Sequence, residues 1–210
     1  MTGARRPAMR AVGSRHLVFF AVAVAVGLRA EEVAAPLASP DEALRAAVQA
    51  GDASAIPALV AAGADPELRW KWNESLLMEA AESGNLAVVE ALLGAGADPR
   101  GVNSWGDTAL FRAALGGHPA VVERLLAAGA DPNARGKRRN TALRLAAHVG
   151  SADCVRALLA GGADPDAATS FGETALLRAV DADHLAVVEA LLDGGASLDP
   201  VDEDGRTALA

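Results

Sequence analysis

Gly129-Ala130-Asp131-Pro132 decides the reading of this chain, because the same four residues keep returning. They stand at Gly63-Ala64-Asp65-Pro66, Gly96-Ala97-Asp98-Pro99 and Gly162-Ala163-Asp164-Pro165, and a drifted copy follows as Gly195-Ala196-Ser197-Leu198. The leading glycines fall at 63, 96, 129, 162 and 195, so each step is 33 residues. A fixed period of roughly 20 to 50 residues marks stacked repeats, each unit burying its apolar face against its neighbours.

Working outward, Ser75, Thr108, Thr141, Thr174 and Thr207 hold one register position. Each precedes a short apolar run such as Thr108-Ala-Leu-Phe-Arg-Ala-Ala114. A hydroxyl there accepts an orphan backbone N–H and starts a helix. Paired alanines inside it admit a close neighbouring helix, and Gly84, Gly117 and Gly150 end it. Asp183 replaces that glycine in the fifth repeat and predicts a less comfortable turn. A second helix starts at once, with Asp52, Asn85, His118 and Ser151 as its expected caps and Pro119 at a tolerated first position. Its apolar stripe reads Val89, Leu92, Leu93 and recurs as Val122, Leu125, Leu126, then Val155, Leu158, Leu159, then Val188, Leu191, Leu192. Gly-Ala-Asp-Pro then closes the repeat: glycine breaks the helix, proline forbids its return, and Asp satisfies turn amides.

This set of motifs resembles the ankyrin-repeat family over residues 39–210, of an exported, bacterial type. The resemblance implies an all-α repeat solenoid of stacked helix-turn-helix units with β-hairpin fingers projecting between them. It implies repeats at about 39–67, 68–100, 101–133, 134–166 and 167–199, with a partial sixth at 200–210. The family's Pro-Leu-His is read here as Ala-Leu-Phe, Ala-Leu-Arg or Ala-Leu-Leu, so its inter-repeat histidine is missing from that position. The expected function is non-catalytic binding of a protein partner through the finger edge and the adjoining inner-helix surface.

The flanks differ in kind. Residues 1–30 place Arg5, Arg6, Arg10 and Arg15 before the apolar run Leu17 to Leu28, with small residues beyond. Basic, apolar and small, in that order, is the pattern of a secretory signal, and the run is too short for the ~20 residues of a membrane span. Export to the periplasm or the medium is expected; an uncleaved anchor is the competing reading. Cleavage after Ala30, Gly27 or Ala35 stays open, and 31–38 reads as a linker. Ser39-Pro40-Asp41-Glu42 is a capping box opening the first repeat, and Pro57 should shorten or kink that repeat's second helix. Past Pro200 the chain offers one further helix start. The last stack face, with Leu191 and Leu192, is therefore expected to fray after Asp193, or to be masked by a partner or a second copy.

Composition narrows the function. The chain is 51% hydrophobic but 3% aromatic, without Tyr, which suits thin helices packed through Ala, Val and Leu. Its net charge is −8, and removing the five arginines of residues 1–30 takes it to −13. Such a body repels phosphate backbones, so nucleic acid is not an expected ligand. Cys154 aligns with Val88, Val121 and Val187 and reads as a small core residue. His118 and His184 are equivalent positions two repeats apart, His148 lacks neighbours at metal-ligand spacing, and Asp65, Asp98, Asp131 and Asp164 read as turn formers. No nucleophile–base pairing or phosphate loop is present, so no metal, cofactor or catalytic residue is expected.

The finger tips carry the functional signal. With each finger numbered by the repeat it opens, the tip residues are Trp72, Trp105, Arg138, Phe171 and Asp204, and Trp70 lies beside Trp72. Outside residues 1–30 the aromatics are Trp70, Trp72, Trp105, Phe111 and Phe171, and all but Phe111 fall in fingers. Stacked at about 10 Å per repeat they would line one edge over about 30 Å. Trp and Arg are the types enriched in binding hot spots. The plainer reading is that tip aromatics only stiffen the edge. The fourth finger, Arg135-Gly136-Lys137-Arg138-Arg139, concentrates cations, with Arg139 where other fingers carry Asn73, Gly106, Gly172 and Gly205. It is expected to be distorted, and is read either as a solvated loop or as an anchor for an acidic patch. On the inner helices, Met78, Phe111, Arg112, Arg144 and Arg178 are expected to adjoin the tips as a partner surface. Self-association through the last repeat, and anionic-polymer binding by the fourth finger, are the alternatives.

Overall fold

The computed structural model describes residues 39–208; the signal-like segment, the linker and residues 209–210 lie outside them. Ten α-helices form five pairs. They are α1 (Pro40–Ala50) with α2 (Ile56–Ala61), α3 (Leu76–Ser83) with α4 (Leu86–Gly94), and α5 (Ala109–Gly116) with α6 (Pro119–Ala127). The remaining pairs are α7 (Ala142–Val149) with α8 (Ala152–Ala160) and α9 (Ala175–Asp181) with α10 (Leu185–Asp193). First helices pack on first helices along α1, α3, α5, α7 and α9, and second helices follow beside them, so the chain is a two-layered all-α solenoid.

Each feature of the repeat acts where the period puts it. Ser75, Thr108, Thr141 and Thr174 accept the backbone N–H three residues on and are themselves buried. The alanine pairs 80/81, 113/114 and 146/147 are buried, which lets the first layer close. In the second layer the buried face runs one position earlier than the predicted stripe. Val88, Val121, Cys154 and Val187 are wholly buried, whereas Leu93, Leu126 and Leu159 are only partly so. Leu191 is covered, which corrects the expectation for that residue; Leu192 remains 42% exposed.

The caps divide. Asn85 and Ser151 accept from Val88 and Cys154, but His118 and His184 form no side-chain cap. The His118 Nε2 instead lies 3.0 Å from the Glu82 carbonyl in the preceding repeat. Asp52 is not the cap of α2 either; its carboxylate holds the Ser54 hydroxyl and the Ser54 and Ala55 amides of the turn before it. Pro57 lies in the first turn of α2, which has six residues against nine in α4, because proline is accepted there and not further in.

The Gly-Ala-Asp-Pro turns are stitched together. Asp65, Asp98 and Asp131 each accept the backbone N–H two residues on at 2.9 Å, and Asp164 does so at 3.1 Å. A second set of bonds holds the turn amides: Asp41 accepts from Asp65 N within the first repeat, and across repeats Glu67 accepts from Asp98 N, Asn133 from Asp164 N and Asp166 from Ser197 N. These rungs give each Asp a structural task that accounts for its recurrence.

The fingers are simpler than hairpins. No strand occurs among the described residues, and one isolated antiparallel bridge joins Arg69 and Ser75. Each finger is closed across its mouth by one backbone bond, as in Trp70 N to Glu74 O at 3.1 Å and Gly136 N to Asn140 O at 3.0 Å, with a tighter turn bond inside it, as in Asn73 N to Trp70 O and Arg139 N to Gly136 O, both at 3.0 Å. A ladder needs free backbone groups, and in three fingers these are taken by a side chain. Asn103, Thr169 and Asp202 each accept two amides of their own finger.

Candidate functional site

The residue that opens each finger decides the shape of its tip. Where it is Asn103, Thr169 or Asp202, the side chain organises the loop and one glycine, at 106, 172 or 205, takes positive φ. Trp70 and Gly136 offer no such acceptor. In those two fingers a pair of non-glycine residues turns left-handed: Trp72 and Asn73 (φ 65° and 60°), and Arg138 and Arg139 (φ 57° and 58°). The distortion expected at Arg139 is therefore present, extends to Arg138, and is shared by the second finger. Position 136 admits only glycine, since a Cβ there would lie 2.6 Å from the Phe111 ring. The buried Phe111 thus sets the path of the fourth finger.

Both left-handed fingers are braced identically. Arg69 Nη1 donates to the carbonyls of Asn73 (3.3 Å) and Val102 (3.0 Å). Arg135 Nη1 donates to those of Arg139 (3.3 Å) and Ala168 (2.8 Å). Each then accepts a backbone bond from the following finger, Ser104 N to Trp72 O at 2.9 Å and Ser170 N to Arg138 O at 3.0 Å. The braces hold the tip side chains in pairs. The Trp72 and Trp105 ring centroids are 5.5 Å apart at 38°, and the Arg138 guanidinium sits 5.4 Å above the Phe171 ring. Lys71 Nζ lies 5.3 Å from the Trp72 ring.

The tips are open to solvent: Trp72 is 55% exposed, Phe171 43% and Trp105 38%, and Lys71, Lys137, Arg138 and Arg139 are exposed as well. Trp70 is different; it is half-buried against the core with the Arg45 guanidinium 4.7 Å over its ring. Two other expectations are corrected. Met78 and Phe111 are 1% and 2% exposed, so they belong to the core and offer no partner surface. Spacing alone could not tell an inward from an outward apolar side chain at the mouth of a finger.

The inner arginines are held in ion pairs. Arg112 pairs with Glu74 at the base of the second finger and with Glu82. Arg144 and Arg178 converge on Glu173 at the base of the fifth. These carboxylates are thereby engaged at the finger bases. Lys71, Lys137, Arg138 and Arg139 form no ion pair among the described residues.

The family model for ankyrin repeats (3 copies) matches residues 44–136 and 143–210. The chain belongs to the ankyrin-repeat family. Ankyrin repeats generally serve as protein–protein interaction modules, and the family is typically a non-enzymatic scaffold. A comparison with curated proteins finds no match. Among the described residues of this ankyrin-repeat chain there is no His/Cys/Asp/Glu cluster fit for a metal, and no helix is long and apolar enough to cross a membrane. Burial pushes the Cys154 thiol above its ordinary value, which keeps it protonated and inert.

Proposed function

We propose that this ankyrin-repeat chain is an exported, non-catalytic scaffold that binds a protein partner through its finger rim and the adjoining inner-helix edge. The observation that carries the reading is the Trp72–Trp105 pair, presented to solvent by a chain only 3% aromatic. The Arg69 and Arg135 braces order the tips before any partner arrives, so little side-chain and loop freedom remains to be lost on binding. Lys137, Arg138 and Phe171 extend the rim, and the solvent-facing parts of Arg112, Arg144 and Arg178 adjoin it. The signal-like pattern of residues 1–30 supports export.

The test is a pull-down from the exported fraction with wild type and Trp72→Ala/Trp105→Ala. Loss of partners is expected, and the same partners at the same abundance would overturn the proposal. A parallel thermal melt must show the variant folded. A second reading, self-association, draws on Leu185, Leu192, Leu198 and Val201, which are 70%, 42%, 38% and 54% exposed in and after α10. Light scattering at high concentration separates it, since a monomer there counts against it.

A further inference from the structure

Underneath the 33-residue repeat the rim carries a period twice as long. Arg69 and Lys71 recur 66 residues on as Arg135 and Lys137, and the left-handed pair Trp72 and Asn73 is matched in position and backbone by Arg138 and Arg139. Ser104, Trp105 and Gly106 recur at the same distance as Ser170, Phe171 and Gly172. The recurrence is structural as well as sequential. In both places an arginine brace holds a left-handed tip, an exposed lysine flanks it, and the tip residue stacks on the aromatic ring of the next finger. The rim is therefore two equivalent seats, Lys71/Trp72/Trp105 and Lys137/Arg138/Phe171.

We infer that these two seats together take one extended acidic segment of a partner protein, which places an apolar side chain flanked by carboxylates in each. The inference rests on the scaffold reading above and names the chemistry of its partner. Charge complementarity is the reason for the choice. The chain is acidic as a whole, at −8, yet its rim displays Lys71, Lys137, Arg138 and Arg139 in no ion pair among the described residues, while Glu74 and Glu173 at the finger bases are engaged by inner arginines. Each seat adds an aromatic face for an apolar or aromatic side chain. Two repeats span about 20 Å at ~10 Å per packed helix. An extended chain rises about 3.3 Å per residue, so the two acidic-apolar elements should lie about six residues apart.

A library of displayed random 16-residue peptides, selected on the full chain, tests this directly. The expected ligands carry two clusters of Asp or Glu around an apolar residue, about six residues apart. Deleting one cluster should weaken binding at least tenfold, since the second contact is then no longer intramolecular. Lys71→Glu and Lys137→Glu should each weaken it at least fivefold, with circular dichroism confirming that both variants fold. Neutral or basic consensus ligands, no enriched ligand, or affinities indifferent to both substitutions would overturn the inference. So would heparin, tested as a generic linear polyanion, displacing the selected peptides and showing equal affinity with a steep salt dependence. Partner capture that depends on Trp72 and Trp105 but not on Lys71 and Lys137 would leave the scaffold reading standing and refute this one alone.

Discussion

Arg144 and Glu173 form a half-buried ion pair, with Nε 3.0 Å from Oε2, at a register position where three of the other four repeats hold apolar side chains and the first holds Arg45. Met78, Phe111 and Leu177 occupy the equivalent position and are buried, whereas Arg144 carries its charge there and meets Glu173 from the next finger. Glu173 also receives Arg178, and its own backbone N–H donates to Thr169. One carboxylate thus ties two inner helices to the fifth finger.

The asymmetry of that arrangement is testable. Glu173→Ala leaves two arginines, 14% and 30% exposed, without their acid, and should destabilise the chain by roughly 3 kcal/mol. Arg144→Leu restores the repeat's usual apolar residue and leaves Glu173 on Arg178, so it should change stability by less than about 1 kcal/mol. Urea unfolding monitored by circular dichroism reads both. Equal losses from the two variants would contradict this account.

His118 occupies the inter-repeat space that the family fills from another position. Its ring packs over Gly84 and Gly116, where an added Cβ would approach to 2.5 Å, and its Nε2 reaches the Glu82 carbonyl. Gly116→Ala should therefore cost about 1–2 kcal/mol by overpacking. In a His118→Ala background much of that loss should vanish, giving a coupling of about 1 kcal/mol. Strict additivity in a double-mutant cycle would show that the ring is not the obstacle.

Legibility followed the period. The helix caps, the alanine layer and the Asp turns could be read because each recurs every 33 residues and has one physical role. The cap expected of His118 failed because histidine is long enough to choose between its own helix end and the repeat before it. Met78 and Phe111 misled because the first helices bury that position, a fact about neighbours and not about the helix itself. The two-seat rim was present in the sequence as Arg69/Arg135 and Lys71/Lys137. Its meaning depends on which finger-opening residues can accept a hydrogen bond, Asn103, Thr169 and Asp202 as against Trp70 and Gly136, a distinction that no recurring motif carries.

Asp183 holds φ of 56° where the other repeats place Gly84, Gly117 and Gly150. Left-handed backbone is unfavourable for a residue with a Cβ, although Asp tolerates it better than most. Asp183→Gly should raise stability by about 0.5–1 kcal/mol in the same unfolding assay. A loss would mean that the Asp side chain makes a compensating bond at the end of α9.

Acid should loosen two particular turns late. The Arg206 backbone N–H, and then the Arg206 guanidinium, hold the Asp202 carboxyl below the ordinary 3.8, and the Ser54 hydroxyl and nearby amides do so for Asp52. A depressed folded value contributes stability that is present above about 3.8 and lost as the pH falls through the folded value. The Asp204, Arg206, Ser54 and Ala55 amides should therefore keep their NMR shifts down to that pH and move only below it. Midpoints above 3.8 would refute these bonds.

Asn103 should control the Trp pair without touching a partner. It is 4% exposed, accepts the Trp105 and Asp107 amides at 2.9 and 3.0 Å, and donates to Glu74 at 3.0 Å. Asn103→Ala strands two amides and frees Trp105 from the position that stacks it on Trp72. The expected loss is about 2 kcal/mol, from backbone donors left without a partner. It should come with a collapse of the near-ultraviolet circular dichroism of the stacked indoles. Asn103→Asp keeps the acceptor but sets a second carboxylate beside Glu74, so it should restore the indole signal while recovering only part of the stability. If the alanine variant lost stability yet kept the indole signal, Asn103 would be a brace for the finger and not the positioner of Trp105.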